Sequence, residues 1–237
     1  MPLLTGFPTF GKRKPTGRTA DMEEIWIIGA GYFGIHALRQ LAGHGKQRHF
    51  LLADPLVENL EKGRGPRNTL VRTDGISFLN EHLYAGNEPD WIVPALPLHL
   101  AAEWCFAQIG EDHVRRVFLP PDADRFFSNP MRGKNGDIYV SHATFRCPES
   151  CEEPEAICTM TRKPRKQNMF DLLGQIRMPD FQSLVVRSHQ LEAGVGGYRP
   201  AQLFDMRRHV RHATKNLLVS TSCRCHGVVT AMEKIKG

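Results

Sequence analysis

The chain has 237 residues, 41% apolar and 24% charged, enough for one large or two small cores and ordinary for a globular protein. No apolar run reaches the roughly 18–20 residues that span a bilayer, which excludes a helical membrane span. The net charge of +6 suits anionic ligands such as nucleotide phosphates, but the basic residues carry no interleaved aromatic motif, which argues against nucleic acid.

Residues 1–21 mix Pro, Gly, Lys and Arg without an apolar segment. They read as a flexible lead-in rather than a secretory signal, with Met22 an alternative start, and the chain is expected to be cytoplasmic. Ile25-Trp26-Ile27-Ile28 has the continuous apolar character of a strand buried on both faces. Gly29-Ala30-Gly31-Tyr32-Phe33-Gly34 follows at once, and Phe33, Ala37, Leu38 and Leu41 then recur at helical spacing until Gly43. A second strand, His49 to Ala53, ends at Asp54-Pro55.

Gly-x-Gly-x-x-Gly between a buried strand and a helix, with an acid at the tip of the next strand, is the arrangement a dinucleotide requires. The first glycine makes the turn, the second admits a pyrophosphate to the backbone, and the third lets helix and strand approach. The helix start adds amide groups and partial positive charge. Asp54 is placed for ribose hydroxyls, which favours NAD over NADP, though it can instead cap the following helix. Flavin and S-adenosylmethionine use similar geometry. The span Ile27 to Gly34, the helix, and Leu51-Leu52-Ala53-Asp54 resembles the NAD-binding domains of the Trk-type potassium-uptake regulators, and NAD(P)-binding Rossmann domains broadly. The resemblance covers about Ile25 to Leu119 and implies an NAD-type ligand on Gly29, Gly31, Gly34 and Asp54, within the turn that also holds Ala30, Tyr32 and Phe33. The second half departs from those regulators: it has no ligand-gating C-terminal domain and it adds cysteines.

Further along, a weak helix (Leu56 to Lys62), a strand (Thr69 to Val71), a helix (Gly75 to Leu83) and a strand (Trp91 to Val93) continue the alternation. Pro94 opens a proline-bearing loop of the kind that lies beside a nicotinamide, with His99 and His142 in range of such a cleft. A helix from Leu98 to Ile109, with Cys105 in its core stripe, and a fifth strand, Val114 to Leu119, complete the half. The expected fold is α/β: a Rossmann-like parallel sheet with helices on both faces over 22–119, interrupted by a Cys-rich insertion over 120–180, then a βαβα segment over 181–237 that completes or extends the sheet. In that last segment the reading is a strand (Phe181 to Arg187), a glycine-rich turn (Leu191 to Tyr198), a helix from Pro200, a strand (Leu217 to Ser220) and a final helix (Gly227 to Lys234).

Cys147, Cys151 and Cys158 are spaced C-x3-C-x6-C, and Cys223 and Cys225 flank Arg224. Soft thiolates at such spacing suit an iron–sulfur cluster or Zn²⁺, with Arg146, Arg162, Lys163 and Arg165 offsetting the charge. Unrelated reduced thiols and a Cys223–Cys225 redox pair are the alternatives. His189 at a strand end is a candidate proton donor, and Gly194 to Arg199 a candidate anion turn. The functional expectation is an NAD(P)-binding protein with a Cys-ligated metal, acting as an oxidoreductase on a small molecule. The alternative is a non-enzymatic NAD- or redox-sensing module that regulates a protein partner, for example in ion transport. A homodimer stays open.

Overall fold

The computed structural model describes residues 22–235 except 44 and 46, so the N-terminal lead-in lies outside the described residues. The chain divides into two units, residues 1–96 and 97–237, not at Leu119. Among the described residues no helix is long and apolar enough to cross a membrane.

Unit 1 alternates β1 (Glu23–Ile28), α1 (Tyr32–Ala42), β2 (Arg48–Asp54), α2 (Val57–Glu61), β3 (Asn68–Arg72), α3 (Gly75–His82) and β4 (Trp91–Pro94). Its four strands form a parallel sheet in the order β3-β2-β1-β4. Ile25, Trp26, Ile27 and Ile28 are all buried, and because successive strand residues face opposite ways, both faces of β1 are covered. Trp26 meets Phe78 of α3 edge to face, with centroids 5.0 Å apart. Of the helical stripe read in α1, Ala37, Leu38 and Leu41 are buried, with Ile35 beside them, whereas Phe33 is exposed.

Unit 2 contains α4 (Leu100–Ile109), β5 (Val114–Val117), a 3-10 turn (Pro121–Phe126), β6 (Met131–Arg132), β7 (Ile138–Ser141), α5 (Met169–Gly174), β8 (Phe181–Arg187), β9 (His189–Glu192), β10 (Val195–Gly197), α6 (Pro200–His212), β11 (Asn216–Ser222) and β12 (His226–Lys234). Its main sheet runs β6-β7-β12-β11-β8, and β12 also pairs with β5. Only β8 and β11 are parallel; β12 runs against β11 on one edge, and against β7 and then β5 on the other. α5 covers one face over Leu218, Val229 and Ala231.

Three expectations are corrected here. Val114–Val117 does not extend the first sheet; it pairs antiparallel with Ala231–Lys234. Residues 120–180 are not an insertion, because β6 and β7 join the second sheet and α5 packs on it. The final segment from Gly227 is a strand, since the β-branched run Val228-Val229-Thr230 pairs fully with β11 and leaves no helix.

His99, just before α4, is 2% exposed and sits in the core of unit 2 rather than in a cleft. Its Nδ1 lies 2.7 Å from Thr230 Oγ1 and its Nε2 2.8 Å from Thr221 Oγ1. Thr230 donates its proton to the buried Asp137 carboxylate at 2.5 Å, so its oxygen accepts from Nδ1–H, and Nε2 accepts from Thr221. This chain of bonds uses the neutral imidazole, and burial pushes the His99 pKa down to about 4, with Asp137 opposing and Arg116 assisting. A depressed folded-state value means that stability is complete above about pH 6.5 and is lost as pH falls toward 4, by roughly 3 kcal/mol. Chemical denaturation of wild type and His99→Gln across that window is expected to show the extra acid slope in wild type only. Equal slopes in the two proteins would contradict the buried neutral imidazole.

Candidate functional site

The turn after β1 is built from three glycines with three different requirements. Gly29 donates to Ala53 O at 2.8 Å and has φ +99°, and a Cβ there would stand 2.6 Å from Ala95 O. Gly34 on α1 lies so close to the turn that its Cβ would fall 1.9 Å from Gly29 O. Gly31, by contrast, has no atom within 4 Å of its Cβ position. Its φ of −66° is open to any residue, and it caps α1 without a side-chain hydrogen bond. Protein packing therefore explains two of the three glycines and leaves Gly31 facing open space.

Asp54 reaches back to the turn: its Oδ2 accepts from Ala30 N–H at 2.7 Å. Its Oδ1 accepts from Leu56 N–H at 2.9 Å and Asn59 Nδ2 at 3.3 Å, so the carboxylate also holds the start of α2 without capping its first-turn amides. A carboxylate has about four acceptor positions, so Oδ2 retains one after these three bonds. Tyr32 and Phe33, at the first turn of α1, are exposed and touch edge to face at 5.3 Å. Pro94 ends β4 opposite Ile28, and Ala95 N–H bonds to Ile28 O at 2.8 Å.

In unit 2 the cysteines lie on the long loop between β7 and α5 and on the β11–β12 turn. His142 N–H bonds to Cys225 O at 2.9 Å and Met169 N–H to Arg224 O at 2.8 Å, which ties both ends of the loop to that turn. Residues 156–165 fold back on themselves: Arg165 N–H reaches Ala156 O at 2.7 Å and Cys158 N–H reaches Lys163 O at 2.9 Å. Arg165 donates to Pro154 O at 2.9 Å, to Glu155 O at 2.7 Å and to Cys225 Sγ at 3.0 Å. Cys151 Sγ is 3.3 Å from Thr159 Oγ1, beside Cys158.

A cavity of about 360 Å³ opens between these segments, lined by Cys147, Cys158 and Cys225 with Phe145, Leu172 and Arg165. Hydrogen bonds from Thr161 lower the Cys158 pKa and favour its thiolate. Burial raises the Cys147 pKa, as do the neighbouring thiols Cys151, Cys225 and Cys158. Burial also raises that of Cys225, against the pull of Arg165. Cys223 stands apart. Its sulfur accepts from the amides of Cys225 and His226, both at 3.4 Å. Burial and Glu153 push its thiol up to about 12. Among the described residues no three His, Cys, Asp or Glu side chains are gathered closely enough to hold a single metal ion. Cys105 is buried in α4 as expected, its thiol pushed up to about 12 by burial.

His189 opens β9, opposite Gly197. Burial, with the Arg187 and Arg199 cations, lowers its pKa, so it favours the neutral imidazole and is better suited to accept a proton than to donate one. The stretch from Gly194 is a hairpin turn with φ +74° rather than an anion nest, because the Gly194 amide is used on Cys151 O at 3.0 Å. Gln190 Nε2 bonds the same carbonyl at 2.8 Å. Sequence reasoning missed this brace and the Thr161 and Glu153 contacts; no local pattern marks them.

Comparison with known proteins places residues 101–235, all within unit 2 and including the five clustered cysteines, in the AF_1314_C family, described as "Uncharacterized protein, C-terminal domain". A protein of Archaeoglobus fulgidus, described as "Uncharacterized protein", is 30% identical over 226 residues, covering 88% of this chain and 98% of the relative. That coverage is more than either unit alone supplies, so the similarity runs through both. No solved structure matches the chain. With its second unit matched over nearly its whole length, the chain belongs to the AF_1314_C family.

Proposed function

We propose that unit 1 is a Rossmann-type domain that binds NAD, and that the protein is an NAD-linked oxidoreductase. The observation that carries this reading is Gly31: neither its backbone angles nor its surroundings need a glycine, whereas a pyrophosphate lying against the backbone does. Strand order supports it. The sheet reverses direction of growth at β1, between β2 and β4, and ligands of such sheets sit beyond the strand ends at that point. The Gly31 amide and those of the first turn of α1 would hold the pyrophosphate, and the remaining Oδ2 position of Asp54 would accept from a ribose hydroxyl. A 2′-phosphate would meet that carboxylate, which favours NAD over NADP. Pro94 and Ala95 border the same turn, where the nicotinamide end would lie. Bound NAD supplies hydride transfer; the chain supplies its seat.

A regulatory module is the second reading, and one observation favours it. The turn itself, Gly29-Ala30-Gly31-Tyr32-Phe33-Gly34, offers no carboxylate, imidazole, amine or thiol side chain for chemistry. Calorimetric titration of the full chain with NAD⁺, NADH, NADP⁺, flavin adenine dinucleotide and S-adenosylmethionine tests the ligand. The expected result is micromolar or tighter binding of NAD⁺ or NADH, at least tenfold tighter than NADP⁺. Absence of heat with both forms of NAD would overturn it. NADH oxidation with a generic electron acceptor then separates enzyme from regulator.

A further inference from the structure

We propose that Cys147, Cys151, Cys158 and Cys225 hold an iron–sulfur cluster, and that Cys223 lies outside the ligand set. This site belongs to unit 2 and does not depend on the nucleotide reading.

Three of the four thiols line one cavity of about 360 Å³, and they come from segments far apart in sequence. The fourth, Cys151, is held beside them. Its carbonyl is gripped by Gly194 and Gln190, and its sulfur touches the residue next to Cys158. This arrangement of four soft ligands is enclosed on one side by Phe145 and Leu172 and met on another by the Arg165 guanidinium.

Size decides between zinc and a cluster. Four thiolates on one Zn²⁺ at about 2.3 Å stand only about 3.8 Å from one another. Cys147, Cys158 and Cys225 instead border a cavity far larger than one ion occupies, with room for several irons and sulfides. Charge agrees with size. A thiolate-bound cluster is anionic, and Lys163, Arg165 and Lys166 border the cavity, with Arg165 bonded directly to the Cys225 sulfur. A hydrogen bond to a ligand sulfur is also a means by which proteins set cluster potential.

Cys223 lacks each of these features. Unlike Cys225 on the same turn, whose sulfur takes the Arg165 bond, it does not border the cavity, and its sulfur is engaged instead by the amides of Cys225 and His226.

The test is full-length protein purified without oxygen, and separately reconstituted with ferrous iron and sulfide. Roughly two to four irons per chain, matching acid-labile sulfide and a broad visible absorbance are expected. Cys158→Ser and Cys225→Ser are each expected to lose the absorbance and at least nine-tenths of the iron, and Cys223→Ser to keep both. Far-ultraviolet circular dichroism of the metal-free forms checks that each variant is folded. Cys158 lies on a largely exposed hairpin, so its variant reports on ligation even if Cys225→Ser folds poorly. Zinc without iron, or no iron taken up on reconstitution, overturns the cluster. Loss of iron from folded Cys223→Ser overturns the ligand set.

Discussion

Replacing Gly31 with valine is expected to weaken NAD binding at least a hundredfold, about 3 kcal/mol, while the melting temperature stays within about 2 °C of wild type. Gly34→Ala, a smaller change three residues away, is expected to do the opposite damage. The Gly31 Cβ position is empty to 4 Å and its φ of −66° suits any residue, so the folded protein has no objection to the valine. A phosphate held by the α1 amides would object, because the new methyl groups occupy the approach to them. At Gly34 the added carbon would fall 1.9 Å from Gly29 O, backbone against backbone, and neither partner is a flexible side chain. Relief requires α1 to move off the turn, at a cost of at least 3 kcal/mol in the stability of unit 1. Calorimetry and thermal melts on the two variants check the pair. Undiminished NAD affinity in Gly31→Val, or a large loss of stability there, contradicts an outward role for that glycine.

This division of labour among three glycines marks how far sequence reading reaches. The strand, turn, helix and second strand of unit 1 were legible because each signal is local: a four-residue apolar run, glycines at fixed spacing, a 3.6-residue stripe in α1. Asp54 was legible as the acid at the strand tip, but its bond to Ala30 N–H was not, since only the approach of β2 to the turn creates it. Unit 2 was misread where partners are distant. Val117 pairs with Ala231, more than a hundred residues on, and nothing near either one announces the other. The same distance hid the strand from Gly227. Its β-branched run Val228-Val229-Thr230 favours a strand over continued alternation once Cys223-Arg224-Cys225 forms the turn between antiparallel strands. The cysteine spacing drew attention to the right loops, yet it could not separate Cys223 from Cys225. Only Arg224 separates them in sequence, and Arg165, whose bond to the Cys225 sulfur distinguishes them, comes from the other loop.

Asp137→Ala is expected to lower the stability of unit 2 by about 3–5 kcal/mol, the cost of removing one partner from a buried ion pair. The carboxylate is fully buried and takes three hydrogen bonds: Oδ1 accepts from Arg116 Nη1 and the Thr230 hydroxyl, both at 2.5 Å, and Oδ2 accepts from Asn135 Nδ2 at 2.7 Å. Arg116 also bonds Glu103 of α4 and lies over the Phe106 ring at 5.2 Å, so the truncation disturbs helix and sheet together. The Thr230 hydroxyl loses its acceptor, and the proton order that fixes the His99 tautomer loses its anchor. In thermal denaturation this corresponds to a fall of about 10 °C or more for a unit of this size. Asp137→Asn keeps the shape and one carbonyl acceptor and gives up the charge, so its loss is expected to be smaller. A double variant, Asp137→Ala with Arg116→Met, separates the two contributions. Because Arg116 keeps its bond to Glu103 when Asp137 is truncated, the double variant loses that second ion pair as well and is expected to be no more stable than Asp137→Ala. A shift of under 2 °C for Asp137→Ala would show that the carboxylate is not the hub of the α4–β12 packing.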